Sequence, residues 1–337
     1  MSNSKSRRRI LKLGVVGCAS LFPATVILGV STARAADKRA LRVRVDSNPA
    51  YAGKQAMEEF LPPDYGVEWI DLGNKSMSAF VAMQRRLLDF NSGGYTYLIT
   101  SYAEGQPIVC ISGLAGEAQR VVVRKSTGIK SLAEIKGRKV ATAKGSSTDI
   151  KFVVACKSVG IDADKDVERF DVGGMPGVRA ALESGKADVG VMWEPNGSQI
   201  IVENPNFVSL DTLSEKSWVS QGGMYVLQPL IDSNRDDVQA VVTATVKGIL
   251  ALRNDRERWL KIAEKASGLP RATLEESLKN CRAMYEIPLS DQRACAEWMY
   301  KLGLAKKDVS KDIHKAVNYD FLMAATGQKK EQLGWVA

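Results

Sequence analysis

The chain has 337 residues, of which 45% are hydrophobic and 25% charged, and its formal net charge is +9. This composition is typical of a folded globular protein and excludes a disordered or low-complexity chain. Residues 1–35 contain six basic residues and no acidic one, so the rest of the chain has 41 basic against 38 acidic residues and no basic stripe for nucleic-acid binding.

The N-terminus has the pattern of an export signal. Residues 6–12 (SRRRILK) match the twin-arginine motif, an uncharged stretch follows, and Ala33-Arg34-Ala35 fits an A-x-A cleavage site. We expect residues 1–35 to be a twin-arginine signal peptide that is removed after Ala35, which places the protein in the periplasm. A lipidated Cys18 and an uncleaved membrane anchor are the alternatives.

The next part of the chain alternates short strands and helices. Apolar periodicity predicts strands at residues 41–45, 67–72 and 108–112, and helices at 51–60, 76–88 and 97–104. About 300 residues remain after the signal, which is too long for one compact core and suits two lobes. This order of elements predicts an α/β protein.

Residues 131–195 are the most informative stretch. A strand at 139–143 leads into the turn Lys144-Gly145-Ser146-Ser147-Thr148, a helix follows, and a later strand ends on Trp193-Glu194-Pro195. A helix that begins with Gly, Ser and Thr presents unpaired amides at the positive end of its dipole, which suits a small anion. An ordinary helix cap is the alternative, because Ser and Thr are preferred there whatever the function.

This stretch resembles the periplasmic solute-binding proteins of transporters for sulfonates, taurine and nitrate. The resemblance lies in the segments SLAEIKGRKVATAKGSS and ALESGKADVGVMWEP. It implies a bilobal type II periplasmic binding protein fold, with two open α/β lobes joined by hinge strands. It also implies that the Gly-Ser-Ser turn meets the ligand and that the strand ending on Trp193 and Glu194 lines the cleft.

In that fold, turns from both lobes converge on the cleft. Glycine lets the backbone approach a ligand closely, and aromatic rings offer flat apolar walls. The candidate ligand-binding residues are Asn48, Gly94, Tyr95, Thr96, Gly145, Ser146, Ser147, Thr148, Met175, Trp193 and Glu194. Glu194 or Asp149 either holds an ammonium group of the ligand or binds backbone amides outside the cleft.

Cysteine and histidine give no sign of catalysis. His314 is the only histidine and no Cys-x-x-Cys spacing occurs, so we expect no cofactor, no metal site and no enzyme activity. Cys110 and Cys156 are expected in the core, and a disulfide between Cys281 and Cys295 is one possibility in an oxidising compartment.

In the fold that the resemblance implies, the chain passes from lobe 1 to lobe 2 and later returns. We place these two passages near residues 120–124 and 222–227. Lobe 1 is therefore predicted at 36–121 and 226–337, and lobe 2 at 122–225. Everything after residue 232 is predicted to be helical, at 238–252, 257–265, 271–285 and 291–302, and these helices are expected to pack on lobe 1. The function it implies is the receptor of an ABC importer, a monomer that binds a small organic anion and delivers it to a membrane permease. Organosulfonates or taurine are the first candidates for the ligand, and nitrate, aromatic carboxylates and pyrimidine-like compounds are the next. A sensory subunit and an enzyme on the same fold are the other possibilities.

Overall fold

The structure is a computed structural model and describes residues 38–72 and 76–337. The predicted signal peptide, residues 1–35, lies outside these residues. The strands are β1 (Arg39–Arg44), β2 (Tyr65–Ile70), β3 (Asn91–Gly94), β4 (Ile108–Glu117), β5 (Gln119–Arg124), β6 (Lys139–Thr142), β7 (Glu168–Asp171), β8 (Val189–Trp193), β9 (Phe207–Thr212), β10 (Ser220–Leu227) and β11 (Cys281–Ala283).

The helices are α1 (Ala52–Gln55), α2 (Ser76–Gln84), α3 (Tyr95–Ala103), α4 (Ser147–Ser158), α5 (Met175–Glu183), α6 (Asn196–Glu203), α7 (Gln228–Ser233), α8 (Arg235–Arg253), α9 (Arg256–Ser267), α10 (Arg271–Ser277), α11 (Leu289–Lys301) and α12 (Asp320–Thr326). In the part of the chain that the structure describes, no helix has both the length and the apolar character needed to cross a membrane.

The strands form separate sheets. Parallel strands β1 and β2 make one pair, and the order β11-β4-β10-β3 makes a four-stranded antiparallel sheet. A five-stranded sheet has the order β7-β6-β8-β5-β9, in which β6 runs parallel to β7 and β8, and β5 runs antiparallel to β8 and β9. The five-stranded sheet uses only residues between 119 and 212, whereas the other strands come from before and after that range.

Strand β5 shows how the five-stranded sheet is covered on both faces. Successive side chains of a strand point to opposite faces. Val121 and Val123 pack with Phe152 and Val153 of α4 on one face, and Val122 packs with α5 and α6 residues on the other. A third and larger core joins the four-stranded sheet to the C-terminal helices, including α8 and α11.

The predicted elements of the N-terminal part are largely confirmed, with one change. The expected helix at 51–60 is the short helix α1 between two 3₁₀ turns, Pro49–Tyr51 and Ala56–Glu59. Turns of this kind are frequent at helix ends.

The expectation that only helices follow residue 232 was wrong at one place. Helix α10 ends at Ser277, and β11 follows after a 3₁₀ turn, where a helix to residue 285 was predicted. Strand β11 pairs antiparallel with the end of β4, and the Ala118 amide donates to the Asn280 carbonyl at 2.6 Å. The backbone of β4 needs hydrogen-bond partners along this edge, and that tertiary requirement overrides the local helical pattern.

No disulfide joins Cys281 to Cys295 in the structure. Cys110, Cys156 and Cys295 are buried, and Cys281 is half-buried. Burial raises the pKa of Cys156 and of Cys295 to about 12. Because the thiolate is the reactive form, these buried thiols are protected from alkylation in the folded protein.

We therefore expect unreduced, denatured protein that lacks residues 1–35 to take up an alkylating reagent at all four thiols. In the native protein, Cys281 is expected to react first. Mass spectrometry of the alkylated protein measures both results. If only two thiols were alkylated after denaturation without reductant, a disulfide would be present.

Candidate ligand-binding site

Two helices that follow strands of different sheets have their N-termini facing each other. Helix α3 follows β3 of the four-stranded sheet, and α4 follows β6 of the five-stranded sheet. The Thr96 amide and hydroxyl lie 3.5 and 3.3 Å from the Ser147 hydroxyl oxygen. Because each helix has its positive dipole end here, the junction favours negative charge.

The turn that precedes α4 uses part of its polar capacity internally. Gly145 has a φ of 81°, which favours glycine, and its amide donates to the Asp149 carboxylate at 3.0 Å. The Ser146 hydroxyl accepts from the Asp149 amide at 3.1 Å and so caps the helix. The first amides of a helix have no partner inside the helix. Those of Ser147 and Thr148 are consequently the ones that this turn offers to a ligand.

The buried Asp149 carboxylate stabilises this turn. It is 1% exposed, accepts from the Thr142 hydroxyl at 3.1 Å and forms an ion pair with Arg169 at 2.7 Å. A buried carboxylate with an ion pair and several donors is compensated within the protein. Of the two roles left open for Asp149, these contacts favour binding backbone amides.

Glu194 lies in a buried network beside the start of β5. It is fully buried and pairs with Arg120. Its carboxylate also accepts from the Ser198 amide and the Ser277 hydroxyl, both at 3.1 Å, and from the Asn280 carboxamide at 3.3 Å. These contacts favour a structural role, and a direct contact of Glu194 with the ligand stays a prediction.

The other candidates occupy different environments. Asn48 accepts from the Ala50 amide at 2.9 Å and so caps a 3₁₀ turn. Tyr95 and Met175 are 1% and 3% exposed and belong to the hydrophobic cores. Trp193 is half-exposed at the last position of β8, and Gly94 precedes the first turn of α3. Their contacts with a ligand stay predictions.

Gln119 is a further candidate that the sequence patterns did not indicate. It begins β5 opposite Trp193, so it lies at the edge of the sheet where β6 and β8 end. Ligands of open α/β sheets bind beyond these carboxyl ends. Gln119 is fully buried, and neither polar atom of its side chain has a hydrogen-bond partner among residues 38–72 and 76–337.

A buried lysine was also missed. Lys54 is fully buried and donates to the Ser92 hydroxyl at 2.7 Å, to the Arg44 carbonyl at 2.5 Å and to the Asp46 carboxylate. Burial lowers the pKa of Lys54, and Asp46 opposes this effect. The contacts tie the end of β1 to β3, directly before α3 begins. No spacing in the sequence distinguishes this lysine from a solvated one.

Among the described residues, no group of three or more histidine, cysteine or acidic side chains is placed to hold a metal ion. His314 is half-exposed and its Nδ1 lies 2.9 Å from the Lys311 carbonyl.

Known proteins resemble this chain in sequence and in fold. A family described as NMT1/THI5 like matches residues 76–258, which is more than half of the chain. The chain belongs to the NMT1/THI5-like family. It is 23% identical over 270 residues to a putative aliphatic sulfonates-binding protein of Escherichia coli (strain K12), a match that covers 78% of this chain and 81% of that protein.

Solved structures establish the fold of this family member. The periplasmic aliphatic sulphonate binding protein SsuA from Escherichia coli matches with a TM-score of 0.71 and 22% identity, covering 84% of this chain and 98% of that one. The periplasmic nitrate-binding protein NrtA from Synechocystis PCC 6803 matches with a TM-score of 0.70 and 14% identity, covering 86% and 89%. The desulfurization enzyme DSZB matches with a TM-score of 0.62 and 15% identity, covering 86% of this chain and 99% of that one. The predicted bilobal α/β fold of periplasmic binding proteins is confirmed.

Proposed function

We propose that this protein is the extracytoplasmic substrate-binding component of an ABC importer and that it captures a small organic anion, an organosulfonate or taurine first. The observation that carries the proposal is the contact of Thr96 with Ser147, which brings the N-termini of α3 and α4 together. The sulfonate-binding relatives support the same ligand class.

The head group of the ligand is proposed to bind at the start of α4. The amides of Ser147 and Thr148 donate to its oxygens, and Gln119 lies at the same edge of the sheet. Helix dipoles and backbone amides suffice to bind an anion without a basic side chain. Trp193, half-exposed at the end of β8, is proposed to contact the organic part of the ligand.

The two lobes are proposed to close around the ligand. The division into 36–121 with 226–337, and 122–225, is supported by the sheets: β5 from Gln119 belongs to the five-stranded sheet, and β10 from Ser220 to the four-stranded one. From the sheet to which each strand belongs, we propose that the chain passes between the lobes at about residue 118 and at residues 213–219. The ligand must favour the closed state for closure to follow binding.

The cellular part of the proposal rests on the N-terminus and the relatives. Residues 1–35 are proposed to direct export through the twin-arginine route, and the monomer is proposed to deliver its ligand to an ABC permease in the inner membrane. Nitrate, an aromatic carboxylate or a pyrimidine-like ligand, a sensory role, and an enzyme on this fold are the competing functions.

A thermal-shift screen of protein lacking residues 1–35 tests the ligand class. The compounds are aliphatic sulfonates, taurine, nitrate, aromatic acids and pyrimidines. At about 100 times its dissociation constant, a ligand stabilises the folded state by about 2.7 kcal/mol. For a protein of this size, that raises the midpoint by about 5 °C.

The expected result is a shift with sulfonates and none with nitrate. A shift with nitrate, aromatic acids or pyrimidines alone would contradict the sulfonate assignment and leave the receptor function standing. Product formation from a bound compound, followed by mass spectrometry, would instead indicate an enzyme.

A further inference from the structure

Unpaired polar atoms lie where α3 packs against α11. The Tyr95 hydroxyl and both polar atoms of the Gln292 carboxamide have no hydrogen-bond partner in the described part of the chain. Tyr95 is 1% exposed and Gln292 is fully buried. Buried polar groups in folded proteins are nearly always hydrogen-bonded, so three such atoms together require an explanation.

Tyr95 and Gln292 are neighbours. Burial raises the pKa of Tyr95 well above its usual value, and a hydrogen-bonding interaction with the Gln292 carboxamide opposes that rise. The contact does not have the geometry of a normal hydrogen bond. The helix that carries Gln292 is anchored, because Asp291 accepts from the Ser220 amide at 2.9 Å and from its hydroxyl at 2.5 Å. The two side chains are therefore held side by side without a hydrogen bond of normal geometry to either one.

This pair lies beside the proposed anion site. Tyr95 directly precedes Thr96, whose amide and hydroxyl contact the Ser147 hydroxyl of α4. Lys151, one helical turn after Ser147, is fully buried. Its charge opposes the burial that raises the pKa of Cys295, a residue one turn beyond Gln292. Helices α3, α4 and α11 thus meet at one place.

Neither side chain of the pair carries a charge. The Gln292 carboxamide offers an acceptor oxygen and an NH2 group with two donor hydrogens, and the Tyr95 hydroxyl can both donate and accept. The pair therefore suits an uncharged group that forms hydrogen bonds.

We propose that Gln292 and Tyr95 form a second ligand subsite, which binds an uncharged hydrogen-bonding group, a hydroxyl or an amide, at the end of the ligand opposite its anionic head. The proposal rests on the proposed function for the position of the head group. Gln292 lies outside residues 76–258, the part of the chain that matches the family.

Two sulfonates that differ by one hydroxyl test the subsite. Isothermal titration calorimetry compares 2-hydroxyethanesulfonate with ethanesulfonate on the wild-type protein and on Gln292→Met. A site built to bind a hydroxyl discriminates strongly against an analogue that lacks it. The wild-type protein is expected to prefer the hydroxylated compound at least about tenfold, and Gln292→Met to reduce that preference to about twofold or less. Equal affinities in the wild-type protein would overturn the proposal.

A second measurement does not depend on the sulfonate. Gln292→Met and Tyr95→Phe remove unpaired polar atoms at nearly constant volume, so the thermal midpoint of the ligand-free protein is expected to rise by about 2 °C or more. Gln199→Met, which loses the bond to Glu203 at 2.8 Å on α6, is the matched control and is expected to lower the midpoint or leave it unchanged.

The two measurements separate the two failures. If neither sulfonate binds the wild-type protein, the sulfonate assignment fails, and a rise in the midpoint of Gln292→Met still supports a ligand subsite at this place. If Gln292→Met lowers the midpoint, the carboxamide pairs with the protein or with a buried water molecule, and the subsite proposal is overturned whatever the sulfonates do.

Discussion

Replacing Ser147 with aspartate is expected to weaken binding of an organosulfonate by about 100- to 1000-fold. The new carboxylate would lie at the first residue of α4, where the proposed head group binds. Two like charges about 4 Å apart at an effective dielectric constant near 20 repel by about 4 kcal/mol, which corresponds to nearly three orders of magnitude in affinity. Calorimetric titration with the sulfonate selected by the screen measures the change.

Loss of folding would not explain this result. An acidic residue in the first turn of a helix stabilises it through the dipole, so Ser147→Asp is expected to keep or raise the thermal midpoint. Ser158→Asp at the other end of α4 is the matched control, because Ser158 is exposed and about 16 Å away along the helix. At physiological ionic strength that distance is about twice the screening length, and affinity should change less than about twofold.

The comparison also tests the sign of the ligand's charge. If Ser147→Asp bound the sulfonate as tightly as Ser158→Asp does, the head group would lie elsewhere. Tighter binding of a cationic ligand by Ser147→Asp would reverse the assignment.

Replacing Arg120 with methionine is expected to lower the free energy of unfolding by about 3–5 kcal/mol. Arg120 is 7% exposed, pairs with the fully buried Glu194 and also donates to the Glu276 carbonyl at 2.9 Å. Removing the cation leaves a carboxylate inside the protein without its counter-charge. Urea-induced unfolding, followed by circular dichroism, measures the change.

An exposed ion pair provides the control for this prediction. Arg271 pairs with Glu257 and Glu275 on the surface, and Arg271→Met is expected to change stability by less than about 1 kcal/mol. The double variant Arg120→Met, Glu194→Leu removes both charges and should recover part of the loss. Equal effects of Arg120→Met and Arg271→Met would refute the importance of the buried network.

The local patterns of the sequence predicted most of the secondary structure. Strand β8, the turn at residues 144–148 and helix α4 lie where the periodicity placed them, because Gly145 and Ser146 encode a turn and a cap through contacts within four residues. The prediction that a helix continues to residue 285 was wrong. Residues 281–283 form β11 instead, because they pair with β4, which lies more than 160 positions away in the sequence.

The candidate site divides in the same way. The sequence pointed to Thr96 and Ser147 as separate turn residues, and the fold brings their side chains within 3.3 Å. Gln119 and Gln292 were missed because an isolated glutamine carries no pattern. Glu194 was included for its place beside Trp193, and its contacts with Arg120, Ser277 and Asn280 could not be read from spacing.

The sequence by itself determined the α/β class, the resemblance to solute-binding proteins, the export signal as a prediction, and the turns that open α3 and α4. These depend on the conformational preferences of neighbouring residues and on short motifs. Only the tertiary structure decided which carboxylates pair inside the protein, that Cys281 and Cys295 form no disulfide with each other, and which of the described polar side chains lie buried without partners. Those properties depend on burial and on contacts between residues far apart in the chain, and a linear pattern does not encode either one locally.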